Sequence, residues 1–136
     1  MGVIRAAESY KRVFSAIFKK YGLSFPQYNI LRVLDASEEG QSRITEVSRI
    51  MLVPGANMTG LAKRLEKGGF IVRRADERDE RATLLVITPK GKNTLKRIEK
   101  DRDEGLKRML EGFSEEEKKI LVAQAKRLIQ NSRTFA

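Results

Sequence analysis

Apolar residues recur at helical spacing in six stretches of this chain, and bulky or β-branched residues cluster in two short runs between the fourth and fifth. From residue 6 to 21, Ala6, Ala7, Tyr10, Val13, Phe14, Ile17, Phe18 and Tyr21 make one broad aromatic face, and Gly22 stops the helix. Ser24 followed by Gln27 three residues later is a capping box, and Pro26 falls in the first turn, where proline is tolerated. Tyr28, Ile30, Leu31, Val33 and Leu34 make this second helix apolar on more than one side, so it is predicted to be central. Asp35 to Gln41 reads as a polar turn. A short third helix opens at Ser42 or Arg43 and ends near Leu52, with Ile44, Val47, Ile50 and Met51 facing inward. The fourth is predicted over Pro54 to Gly68, with proline at an early position where its missing N–H is not needed. Met58, Leu61, Ala62 and Leu65 form its apolar face. Asn57, Gly60, Arg64 and Lys67 form the other, flanked by Thr59 and Lys63.

Gly68-Gly69 ends that helix, and Phe70 to Val72 then reads as a strand. Thr83 to Ile87 reads as a second. The ten residues between, Arg73 to Ala82, hold nothing that enters a core cheaply, so they are expected in solvent as a hairpin tip. Thr88 and Pro89 restart helix as N-cap and first-turn proline. Leu95, Ile98, Leu106, Met109 and Leu110 mark only a thin apolar stripe, broken by the charged run Glu99 to Glu104. Gly112 ends it. Ser114 and Glu117 are a second capping box, before a last helix carrying Ile120, Leu121, Ala125, Leu128 and Ile129.

The second and third helices, a fourth with a cationic face and a charged hairpin make the layout of a winged helix. The fold class is therefore mainly α, within α+β: a winged helix-turn-helix flanked by further helices. One domain is predicted over residues 1–136, with 24–91 as its core. That core meets its own hydrophobic needs, so the outer helices, 1–21 and 92–136, have apolar area to spare, which points to a homodimer. In a helix-turn-helix the third helix braces and the fourth fits a major groove. A hairpin tip can follow the phosphate backbone or enter a minor groove.

Charge sharpens this picture. The formal net charge is +10 and the pI about 10.1. Residues 43–92 alone hold eleven basic and six acidic side chains, so the excess is densest at the predicted reading unit. Such a balance suits a polyanion. There are no cysteines and no histidines, which excludes disulfides, thiol chemistry and zinc sites built on those ligands. No run approaches a membrane span and no secretory layout opens the chain, so a soluble, intracellular and cytoplasmic protein is expected, with no membrane partner. No Gly-rich phosphate loop is present, and the carboxylates alternate with cations on helix faces. An enzyme is not expected, nor a metal or other cofactor.

Several spaced anchors match in order over about 40 residues: Leu65-Glu66, Gly69-Phe70-Ile71-Val72-Arg73, Asp79-Glu80-Arg81 and Ile87-Thr88-Pro89-Lys90-Gly91. On these residues the chain resembles the multiple-antibiotic-resistance regulator (MarR) family of winged-helix transcription factors, and the helix order extends the likeness to nearly the whole chain. The resemblance implies that the first and last two helices interlock with a second subunit. It also implies that Arg81 enters a minor groove and that Asp79 holds the wing by pairing with a nearby arginine, with Arg73 as the partner. Many relatives carry arginine where this chain has Gly60, which shifts the expected reading toward Asn57, Thr59 and the wing.

Candidate DNA-reading residues are Gly55, Asn57, Thr59, Gly60, Lys63 and Arg64 of the fourth helix. Asparagine suits adenine edges, and lysine or arginine suits guanine or phosphate. Arg74, Arg78 and Arg81 are the wing candidates, and Ser42, Arg43 and Arg49 the phosphate candidates before the fourth helix. Tyr10, Phe14, Phe25, Tyr28 and Arg32 are candidates for a small aromatic effector, against the plainer reading of an aromatic core. The function expected is a homodimeric repressor of transcription on an inverted-repeat operator in double-stranded DNA. The alternative is an architectural DNA binder without sequence preference.

Overall fold

The computed structural model describes residues 1–51 and 55–135. It divides into two compact units, Met1–Arg102 and Asp103–Ala136.

In the first unit, helix α1 (Gly2–Lys19) buries Phe14 and Phe18. Gly22, at φ +78°, turns the chain just beyond it, a conformation glycine adopts without a Cβ penalty. Helix α2 (Phe25–Asp35) starts from the predicted capping box: Gln27 N–H donates to Ser24 Oγ at 3.2 Å, and Ser24 N–H donates to Gln27 Oε1 at 2.9 Å. Ile30, Leu31 and Leu34 are fully buried, which makes α2 the central helix. A 3-10 turn at Glu38–Gly40 leads into strand β1 (Gln41–Arg43) and helix α3 (Ile44–Met51). Helix α4 (Gly55–Lys67) buries Met58, Ala62 and Leu65, three of its four predicted apolar positions. The predicted connection Leu52-Val53-Pro54, with its helix-starting proline, lies outside the described residues.

Strands β2 (Ile71–Ala75) and β3 (Thr83–Ile87) form the hairpin, with Val72 opposite Val86 and Arg74 opposite Leu84. The antiparallel sheet has three strands in the order β1-β3-β2. Helix α5 (Pro89–Met109) follows at once. Its start explains the Thr-x-x-Gly motif. Thr88 Oγ accepts from Gly91 N–H at 3.1 Å and shares its one proton between Gly69 O at 2.6 Å and Phe70 O at 3.0 Å. A Cβ on Gly91 would lie 2.5 Å from Phe70 O and 2.7 Å from Ile87 Cγ1, so only glycine lets the helix start this close to the strand.

Four expectations need correcting. Residues 41–43 open a strand rather than the third helix, because β3 offers them a backbone partner that local sequence does not reveal. Ile50, expected inward, is about half exposed. The strand predicted over Phe70 to Val72 runs three residues farther, to Ala75, drawing Arg73 and Arg74 into the ladder. The ten-residue tip is also not wholly in solvent: Asp76 is buried.

In the second unit, helix α6 (Glu115–Ser132) starts from the predicted box. Glu117 N–H donates to Ser114 Oγ at 3.1 Å, and Ser114 N–H donates to Glu117 Oε1 at 3.0 Å. No residue of α6 is buried; Ile120, Leu121, Leu128 and Ile129 are all about half exposed. No helix of the described residues is long and apolar enough to cross a membrane.

Candidate nucleic-acid interface

Helix α4 turns Asn57, Thr59, Lys63 and Arg64 to solvent while Met58, Ala62 and Leu65 hold it in the core. This is the 3.6-residue period at work: the buried residues sit at steps of three and four, and the polar ones fill the other side. Among the described residues, neither Lys63 nor Arg64 has an ion-pair partner. Thr59 Oγ donates to Gly55 O at 3.1 Å, which uses its proton and leaves its oxygen able to accept. Gly60 lies in mid-helix, and a Cβ there would meet the Arg64 guanidinium nitrogens at 3.8 and 4.0 Å.

Two carboxylates fix the hairpin, and neither is the one assigned that work from the sequence. Near the end of α4, Glu66 accepts three bonds from Arg73 of β2: N–H to Oε2 at 2.9 Å, Nε to Oε1 at 3.0 Å and an Nη to Oε1 at 2.9 Å. These bonds hold the Glu66 carboxyl below its ordinary value. Arg73 therefore ties strand to recognition helix, and the expected Arg73–Asp79 pair does not form. The Leu-Glu and Gly-hydrophobic-hydrophobic-x-Arg anchors are the two halves of this joint. Lys90 adds to it, donating from Nζ to Gly68 O at 2.6 Å with the ammonium 4.8 Å from the Phe70 ring centroid.

At the base of the tip, Asp76 receives Arg43 Nε at 2.7 Å, and Arg78 N–H donates to its other oxygen at 2.9 Å. The Arg78 N–H first, then the Arg43 guanidinium, hold this carboxyl below its ordinary value, against the opposing pull of burial. Arg43 was a candidate phosphate contact. Its guanidinium is engaged within the fold, and its place is the joint between β1 and the wing.

The tip repeats one device. Asp76-Glu77-Arg78 and Asp79-Glu80-Arg81 are the same three residues twice, and in each the aspartate accepts from the arginine N–H two residues on, at 2.9 and 3.1 Å. Asp79, expected to hold the wing by pairing with Arg73, has its ion pair with Arg81 instead, at 3.5 Å. The Arg81 side chain is 95% exposed. Arg74 is exposed and donates to Gln41 at 2.7 Å, and Arg78 is exposed. Arg49 pairs with Glu46 one helical turn earlier, so as a phosphate candidate it first has to leave that partner. Ser42 sits within the sheet, opposite Leu85.

The sequence reading missed Glu66 and Asp76 as holders of the wing. The spacing of seven from Glu66 to Arg73 was visible as motif, but nothing local says that a glycine turn folds them together. Which aspartate of the tandem repeat turns inward is decided by β1, 33 residues upstream of Asp76.

The aromatic candidates are together in the first unit. The rings of Tyr10 and Phe14 are 4.4 Å apart, Tyr10 and Phe25 6.3 Å, and Phe18 stacks on Tyr28 at 3.9 Å. Phe14 and Tyr28 are buried, Tyr10 and Arg32 exposed. The Tyr28 hydroxyl accepts from Arg102 at 3.1 Å. Burial pushes the Tyr10 hydroxyl pKa up. Among the described residues no cluster of three acidic side chains is placed to hold a metal.

A family model described as "MarR family" matches residues 21–82. The HTH-type transcriptional regulator TtmR of Methylorubrum extorquens (strain PA1) is 34% identical over 90 residues, 66% of this chain and 45% of the relative. The HTH-type regulator YfiV of Bacillus subtilis (strain 168) is 32% identical over 102 residues, 75% of this chain and 62% of the relative. The chain thus spans about half to three fifths of the length of these curated relatives. Among solved structures, Sco3205 of Streptomyces coelicolor, a MarR family regulator crystallised in complex with DNA, matches with a TM-score of 0.88 at 20% identity. That match covers 96% of this chain and 82% of the other.

Proposed function

We propose, for a chain that belongs to the MarR family of winged-helix proteins, that it binds double-stranded DNA by sequence and regulates transcription in the cytoplasm. One observation carries the reading: an exposed helix face with unpaired cations and an arginine-tipped hairpin are fixed to each other by the Glu66–Arg73 joint. A helix for the major groove and a finger for the backbone or minor groove have to be held in register with each other. The joint supplies that.

The protein acts as a homodimer. The apolar area left open on α6, and on α1 at Tyr10 and Val13, supports this. A two-fold pair of reading heads matches an inverted repeat with half-sites about 10 base pairs apart. Occupying such an operator represses by blocking polymerase. A small aromatic anion bound near Tyr10, Phe14, Phe25, Tyr28 and Arg32 releases it by favouring a dimer with a different head spacing, which requires unequal affinity for the two states. The half-open Tyr10 and Phe25 rings beside the exposed Arg32 support an aromatic, anionic ligand.

The test is a titration at physiological salt of DNA from upstream of the protein's own gene against random duplex. A preference on the order of 10³ or more supports a regulator; a ratio near one favours the architectural alternative, for which the net charge of +10 is sufficient.

A further inference from the structure

Gly60 stands where glycine is least at home. It lies inside a 13-residue helix, five residues from its first and seven from its last, with ordinary helical φ. Glycine there is less favourable than alanine because the backbone loses more freedom on folding. Nothing in the fold asks for it. Among the described residues, and apart from the helix's own backbone, a Cβ at residue 60 would find two heavy atoms within 4 Å, the guanidinium nitrogens of Arg64 at 3.8 and 4.0 Å.

The identity of those two atoms is informative. Helical side chains lean toward the N-terminus of their helix, over the turn before their own Cα. Arg64 follows this rule, and its guanidinium comes to rest at the level of residue 60, one turn back, over bare backbone. Among the described residues Arg64 has no ion-pair partner. Asn57 and Thr59, both exposed, lie on either side of the same turn.

We propose that Gly60 and Arg64 act as one specificity-determining pair: the missing side chain at 60 lets the Arg64 guanidinium lie along the middle of the helix and present its two-pronged edge to a guanine. Arginine bonds guanine O6 and N7 together through such an edge, which lysine cannot reproduce. A side chain longer than alanine at 60 occupies the same space and drives the guanidinium outward, toward phosphate. Residue 60 is a positioning residue, acting through Arg64. The proposal rests on the DNA-binding reading above.

The experiment is selection of bound sites from a randomised duplex pool, sequenced for the wild type, Arg64→Lys, Gly60→Ala, Gly60→Leu and the double variant Gly60→Leu/Arg64→Lys. Wild type is expected to enrich a guanine at one position of each half-site. Arg64→Lys keeps the charge and lowers that preference by about 5- to 150-fold, the range of one bidentate base contact. Gly60→Leu does the same while its binding to random DNA stays within about twofold, because no phosphate-pairing charge is lost. Gly60→Ala leaves the Arg64 nitrogens at ordinary contact distance and keeps the guanine. The double variant is no worse than either single one, as for two residues serving one contact. Thermal melts of the same proteins identify a variant that fails to fold, and Arg64→Lys, on an exposed side chain, carries the test independently. If both single variants select the same base with the same strength as wild type, the pair is refuted while the regulator reading stands. Loss of the guanine in Gly60→Ala refutes the steric link. A wild type that enriches no sequence overturns the regulator reading and this proposal with it.

Discussion

Single arginines here divide by what already holds them. Among the described residues the Arg81 side chain is held by an exposed pair with Asp79 at 3.5 Å, and pairs of that kind contribute under about 1 kcal/mol. Arg81→Ala is therefore expected to leave the melting temperature nearly unchanged and to weaken operator binding by about 1–3 kcal/mol, measured by fluorescence anisotropy. Unchanged affinity would remove Arg81 from the interface. Arg43 is the opposite case. Its guanidinium closes on the buried Asp76 carboxylate, so Arg43→Ala strands that carboxylate and lowers the melting temperature. The salt dependence of DNA binding separates the two roles. A lost phosphate contact, as expected for Arg78→Ala, flattens the log–log slope by about one unit, whereas Arg43→Ala leaves the slope in place.

At the scale of elements, the joints between helix and hairpin matter more than the elements themselves. Glu66 titrates below its ordinary 4.5 because Arg73 bonds the charged form. A carboxyl with a depressed folded pKa stabilises above the unfolded value and loses that support as pH falls through the folded one. The α4–β2 joint is therefore fully present above about 4.5 and weakens below it. Glu66→Gln keeps an acceptor for Arg73 N–H but has no charge to titrate, so its melting temperature is expected lower at neutral pH and less steeply acid-sensitive than wild type. Parallel acid curves for the two proteins would mean that the joint carries no charge-dependent stability. The other joint is steric. A methyl at Gly91 meets Phe70 O at 2.5 Å, in backbone that cannot swing aside, so Gly91→Ala should cost about 1–3 kcal/mol in urea unfolding. A neutral result would show that β3 and α5 separate more easily than the Thr88 bonds suggest.

For the molecule as a whole, the dominant feature is the apolar surface left open on its last helix. An 18-residue helix with no buried residue, carrying Ile120, Leu121, Leu128 and Ile129 at about half exposure, is unusual for an isolated chain in water. We expect sedimentation velocity at micromolar concentration to give twice the 15.5 kDa chain mass, and Leu121→Glu with Leu128→Glu to shift it toward one chain. Such a variant is expected to retain weak binding to a single half-site and lose the gain from two linked heads. A wild type that sediments as a single chain would remove the inverted-repeat operator along with the dimer.

The sequence by itself settled what is local. Capping boxes at Ser24 and Ser114, the cap at Thr88, the glycine stops and the helical faces of α2 and α4 are read within a few residues, because each depends on bonds between near neighbours. The spaced anchors from Leu65 to Gly91 identified the winged helix because the structure needs those residue types at those distances. What only the tertiary structure decided is who meets whom across the turns. Strand β1 is three residues long, too short to show alternation, and exists because β3 is there to pair with it. Arg43 became a brace because folding brings it to Asp76, and Arg73 took Glu66 rather than Asp79 because the Gly68-Gly69 turn returns the strand along the end of α4. Charged side chains of one type look alike in a sequence. Their roles separate only when folding sets which of them lose water and which stay in it.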